Sequence, residues 1–201
     1  MTLYLVRHGL AAAGVDDLDP GLAELGHEQA RLAAQFLANV NSERVITSPL
    51  RRTRETAKPI GEVLKCEPIV RVEVAEVFDP SMPVEQRRAM IGPFMAGRWS
   101  EQSETLRAWR DRVVACLREL AGEANEAGRD LIVVSHYIAI GVAIGEALGD
   151  DRVVPVPMAN ASITSIEVSG DGRFSLIKAA DTSHLPPDKI TGLHTAMMGK
   201  Q

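Results

Sequence analysis

Aromatic side chains are scarce in this chain. Tryptophan, tyrosine and phenylalanine make up 4% of its 201 residues, so a core must be built from Leu, Val, Ile and Ala. Cysteine is scarcer still. Cys66 and Cys116 stand far apart and in no metal-ligand spacing, which excludes a disulfide framework and reads as free thiols in a reducing cytoplasm. A basic excess is missing too. The net charge of -5 argues against a general nucleic-acid binder. No apolar run reaches the roughly 20 residues of a membrane span. The N-terminus lacks the basic stretch and long apolar run of a signal peptide. Repeats and low-complexity tracts are absent. The expectation is a soluble cytoplasmic protein that works on neither nucleic acid nor membrane. An apolar fraction of 45% and a charged fraction of 24% are ordinary for a globular chain, and the length suits one compact domain rather than two.

What is present is an alternation of strand-like and helix-like segments. Strand-like runs are Thr2 to Val6, Arg44 to Thr47, Asp130 to Ser135, Ser162 to Val168 and Arg173 to Ala179. Leu131-Ile132-Val133-Val134 is continuously apolar, as a strand covered on both faces requires. Ser169-Gly170-Asp171-Gly172 predicts a hairpin turn between the last two runs. Helical spacing joins Leu22, Leu25, Leu32, Phe36 and Leu37, and more cleanly Leu106, Trp109, Val113, Leu117 and Leu120. The pattern predicts a three-layer α/β fold. Its central sheet is mostly parallel with an antiparallel edge strand, and helices cover both faces. The stretch from Glu76 to Ser103 is irregular and reads as an excursion or lid above the sheet.

Two strands end in chemistry. Leu3-Tyr4-Leu5-Val6 runs into Arg7-His8-Gly9, and Val133-Val134-Ser135 runs into His136. In open α/β sheets ligands bind at such strand mouths. A histidine there is a candidate nucleophile, and an adjacent arginine holds an anion. Between them lies Ser48-Pro49-Leu50-Arg51-Arg52-Thr53-Arg54, where Ser48 predicts an N-cap and Pro49 a first helical position. Cations in a first turn oppose the helix dipole, and a bound anion would remove the conflict. A solvated arginine patch is the plain alternative. His184 and His194 in the tail and His27 on a polar helix are weaker candidates. No metal-ligand constellation, dinucleotide fingerprint or serine nucleophile elbow is found.

These segments resemble the histidine phosphatase superfamily, also called the phosphoglycerate mutase-like family. The Arg-His-Gly signature matches Arg7, His8 and Gly9. The Ser-Pro-Leu-x-Arg-Ala-x-x-Thr-Ala segment matches Ser48, Pro49, Leu50, Arg52, Thr56 and Ala57, with Thr53 where Ala is usual. Leu22, Gly26, Gln29 and Ala30 resemble the family's first helix, and His136 matches its second histidine. Asn160-Ala161-Ser162-Ile163 resembles the opening of a later strand. The resemblance implies one phosphoglycerate mutase-like domain over 1–201, with a lid or insert at about 76–103.

It also implies a chemistry. His8 would attack phosphorus while Arg7, Arg52 and His136 surround the phosphoryl oxygens, with neither metal nor cofactor. Neighbouring arginines would keep His8 neutral, and a carbonyl on its other nitrogen would fix the tautomer. Gly9 would let the backbone approach the phosphate, or simply make a tight turn. A glutamate would act as general acid. Glu76 fits the family's context best, and Glu73 competes. Two departures stand out. Leu10-Ala11-Ala12-Ala13-Gly14 lacks the hydroxyl many members carry after the glycine, which weakens a mutase reading. Tyr137 replaces a common glycine, where it narrows the pocket, touches substrate or packs. The implied function is a phosphatase acting on a small phosphorylated substrate through a phosphohistidine. A mutase-type phosphotransferase, a phosphohistidine-protein phosphatase and a non-catalytic phospho-ligand module remain alternatives. Oligomeric state has no signature in the sequence.

Overall fold

A computed structural model describes residues 1–12, 17, 19–78 and 84–193. Strands β1 (Thr2–Arg7), β2 (Val45–Thr47), β3 (Ile69–Val70), β4 (Leu131–Ser135), β5 (Ile163–Val168) and β6 (Phe174–Asp181) form one sheet in the order β3-β2-β4-β1-β5-β6. β3, β2, β4 and β1 are mutually parallel, while β5 pairs antiparallel with both β1 and β6. The sheet is therefore mostly parallel with an antiparallel edge, as the alternating pattern predicts. The turn at 169–172 closes the β5–β6 hairpin, with Gly172 at φ +78°.

The helices are α1 (Glu24–Leu37), α2 (Arg51–Leu64), α3 (Val84–Ala96), α4 (Glu104–Glu126) and α5 (Tyr137–Leu148). Strand alternation assigns the two faces. Leu131 and Val133 of β4 join a core with α4 and α5, while Ile132 and Val134 join one with α2 and α1. All four are fully buried. At roughly 1.5–3 kcal/mol per buried aliphatic side chain, this strand is the anchor of both layers. Among the described residues no helix is long and apolar enough to cross a membrane.

Two local expectations fail for identifiable reasons. β3 has only two residues, both exposed at the sheet edge, so it carries no alternating signal. The buried stripe of α1 keeps Leu37 but is otherwise Gly26, Gln29, Ala30, Ala33 and Ala34; Leu25 and Leu32 are half-buried and Phe36 is 45% exposed. Small residues face inward because backbones meet there. A Cβ on Gly26 would lie 2.1 Å from the Leu10 carbonyl oxygen, and one on Gly9 would lie 2.5 Å from the Gly26 oxygen. The missing side chain of Gly9 thus lets the loop after β1 rest against α1.

That contact generates a stability test. Gly26→Ala gains about 1 kcal/mol of helix propensity but forces a backbone clash, for which overpacking costs of about 3 kcal/mol apply. A net loss of about 2 kcal/mol is expected in urea denaturation, and an unchanged midpoint would refute the close approach.

Candidate active site

Register brings the candidate residues together. Arg7 of β1 lies opposite Ser135 of β4, and the His8 amide donates to the Ser135 carbonyl at 3.0 Å. Each strand then releases one histidine at the same level. The His8 and His136 rings sit 5.3 Å apart at 60°. β2 ends beside them and delivers α2. Arg52, in its first turn, spans both rings: Nε donates to His8 Nε2 at 3.3 Å and Nη2 to His136 Nδ1 at 3.2 Å. The other two arginines go elsewhere. Arg51 pairs with Glu55 at 2.7 Å, and Arg54 lines an open groove of about 610 Å³ between α2 and β3 that contains neither histidine.

Hydrogen bonds fix both tautomers. His8 Nδ1 lies 2.8 Å from the Gly9 carbonyl, so its proton sits there and Nε2 keeps a lone pair. Arg52 can only donate, so His136 Nδ1 accepts and its Nε2–H donates to Ser48 Oγ at 2.7 Å. Ser48 in turn contacts Thr53 Oγ1 at 3.0 Å, and Thr53 donates to the Leu50 carbonyl at 2.6 Å. The expected N-cap is corrected here. α2 starts at Arg51, because Leu50 is extended at ψ 139° and takes the cap position; Ser48 Oγ still accepts from the Leu50 amide at 3.2 Å, one step outside the helix, and Pro49 lies outside it too.

Arg7 is buried, with Nη1 donating to the carbonyls of Met158 at 2.5 Å and Gly192 at 3.0 Å. Its guanidinium lies 4.7 Å above the Tyr137 ring. Tyr137 is itself 8% exposed, and it lies under the arginine while also lining the cavity that holds His8. Arg7 Nε has no hydrogen-bond partner among the described residues. Burial holds the Arg7 pKa down at about 10, which still leaves it charged near neutrality.

The two glutamates part company. Glu76 lines the same cavity as His8, and its oxygens accept from the amides of Val77 at 2.9 Å and Ile138 at 3.3 Å. Burial raises its pKa, outweighing those amides and the two arginines. Glu73 pairs with Arg71 at 3.2 Å and is pushed down by hydrogen bonding, including that arginine. The cavity holds about 200 Å³. Arg7, His8, Arg52 and Glu76 form its polar end, and Phe78, Ile91, Met95 and Ile138 continue its wall. His27 lies exposed 3.7 Å from Glu55, His184 binds the Ala161 carbonyl, and His194 lies outside the described residues.

Several supporting residues escape a reading based on charge and strand ends. Thr56 Oγ1 accepts from the Gly9 amide at 3.0 Å. Buried Gln29 accepts from the Leu10 amide and donates to the Lys189 carbonyl and Thr191. Asn160 donates to the His8 carbonyl at 3.3 Å and pairs with the Thr191 backbone. Thr56, Gln29 and Asn160 had a signal only in the motif resemblance; Thr191 and Gly192 had none.

Fold and cluster together define an α/β enzyme. A family model described as histidine phosphatase superfamily (branch 1) matches residues 3–182, and the chain belongs to that superfamily. Among its relatives, a probable phosphoglycerate mutase GpmB of Serratia proteamaculans is 33% identical over 165 residues, covering 74% of this chain and 75% of that protein. An uncharacterized phosphatase PhoE of Bacillus subtilis is 28% identical, covering 81% of this chain and 86% of that protein. YhfR of Bacillus stearothermophilus has the same fold, with a TM-score of 0.73 at 22% identity over 91% of this chain and 98% of its own.

Burial, Arg52 and Arg7 together hold the His8 pKa down at about 3, and His136 is lowered by burial, His8 and Arg52. A histidine that is neutral when folded binds its proton more readily unfolded, near 6.5. Stability is therefore full above that value and falls as pH drops from about 6.5 towards 3. His8→Gln is expected to flatten the loss of melting temperature between pH 7 and 5. An equally steep loss in that variant would show that His8 is not buried neutral.

Proposed function

We propose that this chain is a metal-independent phosphatase that hydrolyses small phosphomonoesters through a phosphohistidine on His8. One observation carries the reading: the His8 Nε2 lone pair, with its tautomer fixed by Gly9, opens between two arginines in a cavity that also holds a raised carboxyl. Phosphoryl transfer asks mainly for in-line positioning and electrostatic stabilisation, and Arg7 and Arg52 supply the charge. The phosphoryl group draws Arg52 off His8 Nε2 and occupies the unpartnered Arg7 Nε. As Arg52 turns to the phosphoryl oxygens it also leaves His136 Nδ1, and the phosphoryl charge offsets the desolvation there, so that Nδ1 takes the proton of the substrate monoanion, donates it in a hydrogen bond to that phosphoryl oxygen and returns it when phosphate departs.

His8 Nε2 then forms a bond to phosphorus as the ester P–O bond breaks, and protonated Glu76 gives its proton to the departing oxygen. The alcohol leaves. Water attacks phosphorus next, the Glu76 carboxylate takes its proton, the N–P bond breaks and phosphate departs. Glu76 alternates as acid and base. Glu73, tied to Arg71, is not the acid on this reading.

The name of the Serratia relative favours a mutase-type transfer as second reading. Against it stand Leu10, Ala11 and Ala12, which bring no hydroxyl after Gly9 and whose loop is bound to Gln29 and Gly21. We read 1–201 as one domain, with the excursion at about 76–103 as a lid that contributes Ile91 and Met95. We place it in the cytoplasm, where Cys66 and Cys116 stay free.

His8→Ala should retain the melting profile above pH 7 and lose turnover; turnover at the parental rate would remove His8 as nucleophile. Glu76→Gln is expected to lower kcat/KM for alkyl phosphates by roughly 10²–10⁴. It should affect 4-nitrophenyl phosphate far less, because that phenolate leaves unprotonated. With the wild type, kcat/KM for an alkyl phosphate should fall as rising pH removes the Glu76 proton, at a pKa above the ordinary 4.5. Equal losses on both esters would point to a structural carboxylate.

A further inference from the structure

The polar end of the cavity is accounted for; its wall is not. Beyond Glu76 the lining is Phe78, Ile91, Met95, Ile138 and the Tyr137 ring that carries Arg7. Phe78 is fixed from behind. Its ring meets Phe94 edge-on at 5.2 Å, Phe94 meets Trp99 at 5.6 Å, and Trp99 stacks on Trp109 at 5.9 Å. A chain with eight aromatic residues thus places four in one column beside this cavity, joining α3 to α4. Of the wall residues Ile91 is the exposed one, at 38%.

The charges say what would not bind there. Arg7 and Arg52 are the lining cations among the described residues, and both serve the phosphoryl group. The other ionisable groups lining the cavity are neutral His8, Glu76, which holds its proton when substrate binds, and Tyr137, and none of them offers a cation to a second anion. A carboxylate held against Phe78, Met95 and Ile138 would be desolvated without a further cationic partner among the described residues. An apolar group there loses only unfavourable hydration, and the flexible Met95 adapts to its shape.

We infer that this wall is a leaving-group subsite for uncharged, apolar alcohols, aromatic ones above all, and that it selects against esters whose alcohol carries a carboxylate. The inference rests on the phosphatase reading above and adds its substrate class. It also separates this chain from the substrate that the mutase relatives' names denote.

The test compares kcat/KM of the full chain for 2-phenylethyl phosphate and 3-phosphoglycerate. Both are alkyl esters, so the ratio reads recognition of the alcohol rather than leaving-group reactivity. A preference of about tenfold or more for the phenylethyl ester is expected, a free-energy difference that burial of a ring readily supplies. Equal or reversed values overturn the inference while leaving a working phosphatase. No turnover of either ester, nor of 4-nitrophenyl phosphate, removes the phosphatase reading and this inference with it. Ile91→Lys, at a position exposed enough to accept the charge, should move the ratio about tenfold towards 3-phosphoglycerate. A ratio that does not move shows that the wall does not contact the alcohol.

Discussion

The site depends on a single constraint: two parallel strands, adjacent and in register, end at the same level. Because Arg7 lies opposite Ser135, the next residue on each strand emerges over the same edge of the sheet. Nothing in the loops has to be adjusted to bring His8 and His136 within 5.3 Å. The hydrogen-bonded ladder does it, and the fully buried β4 holds the ladder rigid between two helical layers. Arg52 needs only the third parallel strand, β2, to present the first turn of α2 on the same side. The convergence is a property of the sheet, and the loops contribute refinement.

Charge is the second constraint, since cations and imidazoles are packed together. Each cation is handled separately. Arg7 is neutralised from behind by carbonyl oxygens of Met158 and Gly192 and lies on the face of Tyr137. Those contacts leave it charged without using a carboxylate, which would compete with an incoming anion. Arg52 lies 3.8 Å from Asp19 and also faces the buried Glu76. The histidines respond by staying neutral. An imidazole deprived of its proton by its surroundings is a nucleophile at the pH of the cell, and its tautomer is set by one carbonyl.

Much of this was legible in the sequence, and the limits have physical causes. Strand ends are readable because a buried parallel strand is a continuous apolar run, so the residue that breaks it is conspicuous. His8 and His136 are such residues. Arg52 could be singled out from Arg51 and Arg54 only by the motif resemblance, since helical rotation that sends one arginine inward and two outward is invisible in a charge count. The face of α1 was misread because close backbone packing selects Gly and Ala, which hydrophobic spacing ignores. Ser48 was placed as the cap although Leu50 is extended and takes that place; that the Ser48 hydroxyl also bonds His136 is something only the fold reveals. Glu73 and Glu76 are equivalent as letters and differ only in whether an arginine or a cavity adjoins them. Thr191 and Gly192 act through backbone groups, which no side-chain pattern encodes.

The place of β1 in the sheet has a consequence for how the protein is made. This strand precedes both of its partners by a long stretch of chain: Leu3 pairs with Leu131 on one side and Thr2 with Glu167 on the other. At 5–20 residues per second, the ribosome needs roughly 6 s to half a minute to supply the first partner. Throughout that interval an unpaired Leu-Tyr-Leu-Val segment is exposed, a pattern prone to intermolecular pairing. The arrangement that guarantees convergence in the finished molecule therefore leaves the nascent chain with this strand waiting, both pairing edges open until β4 and β5 emerge.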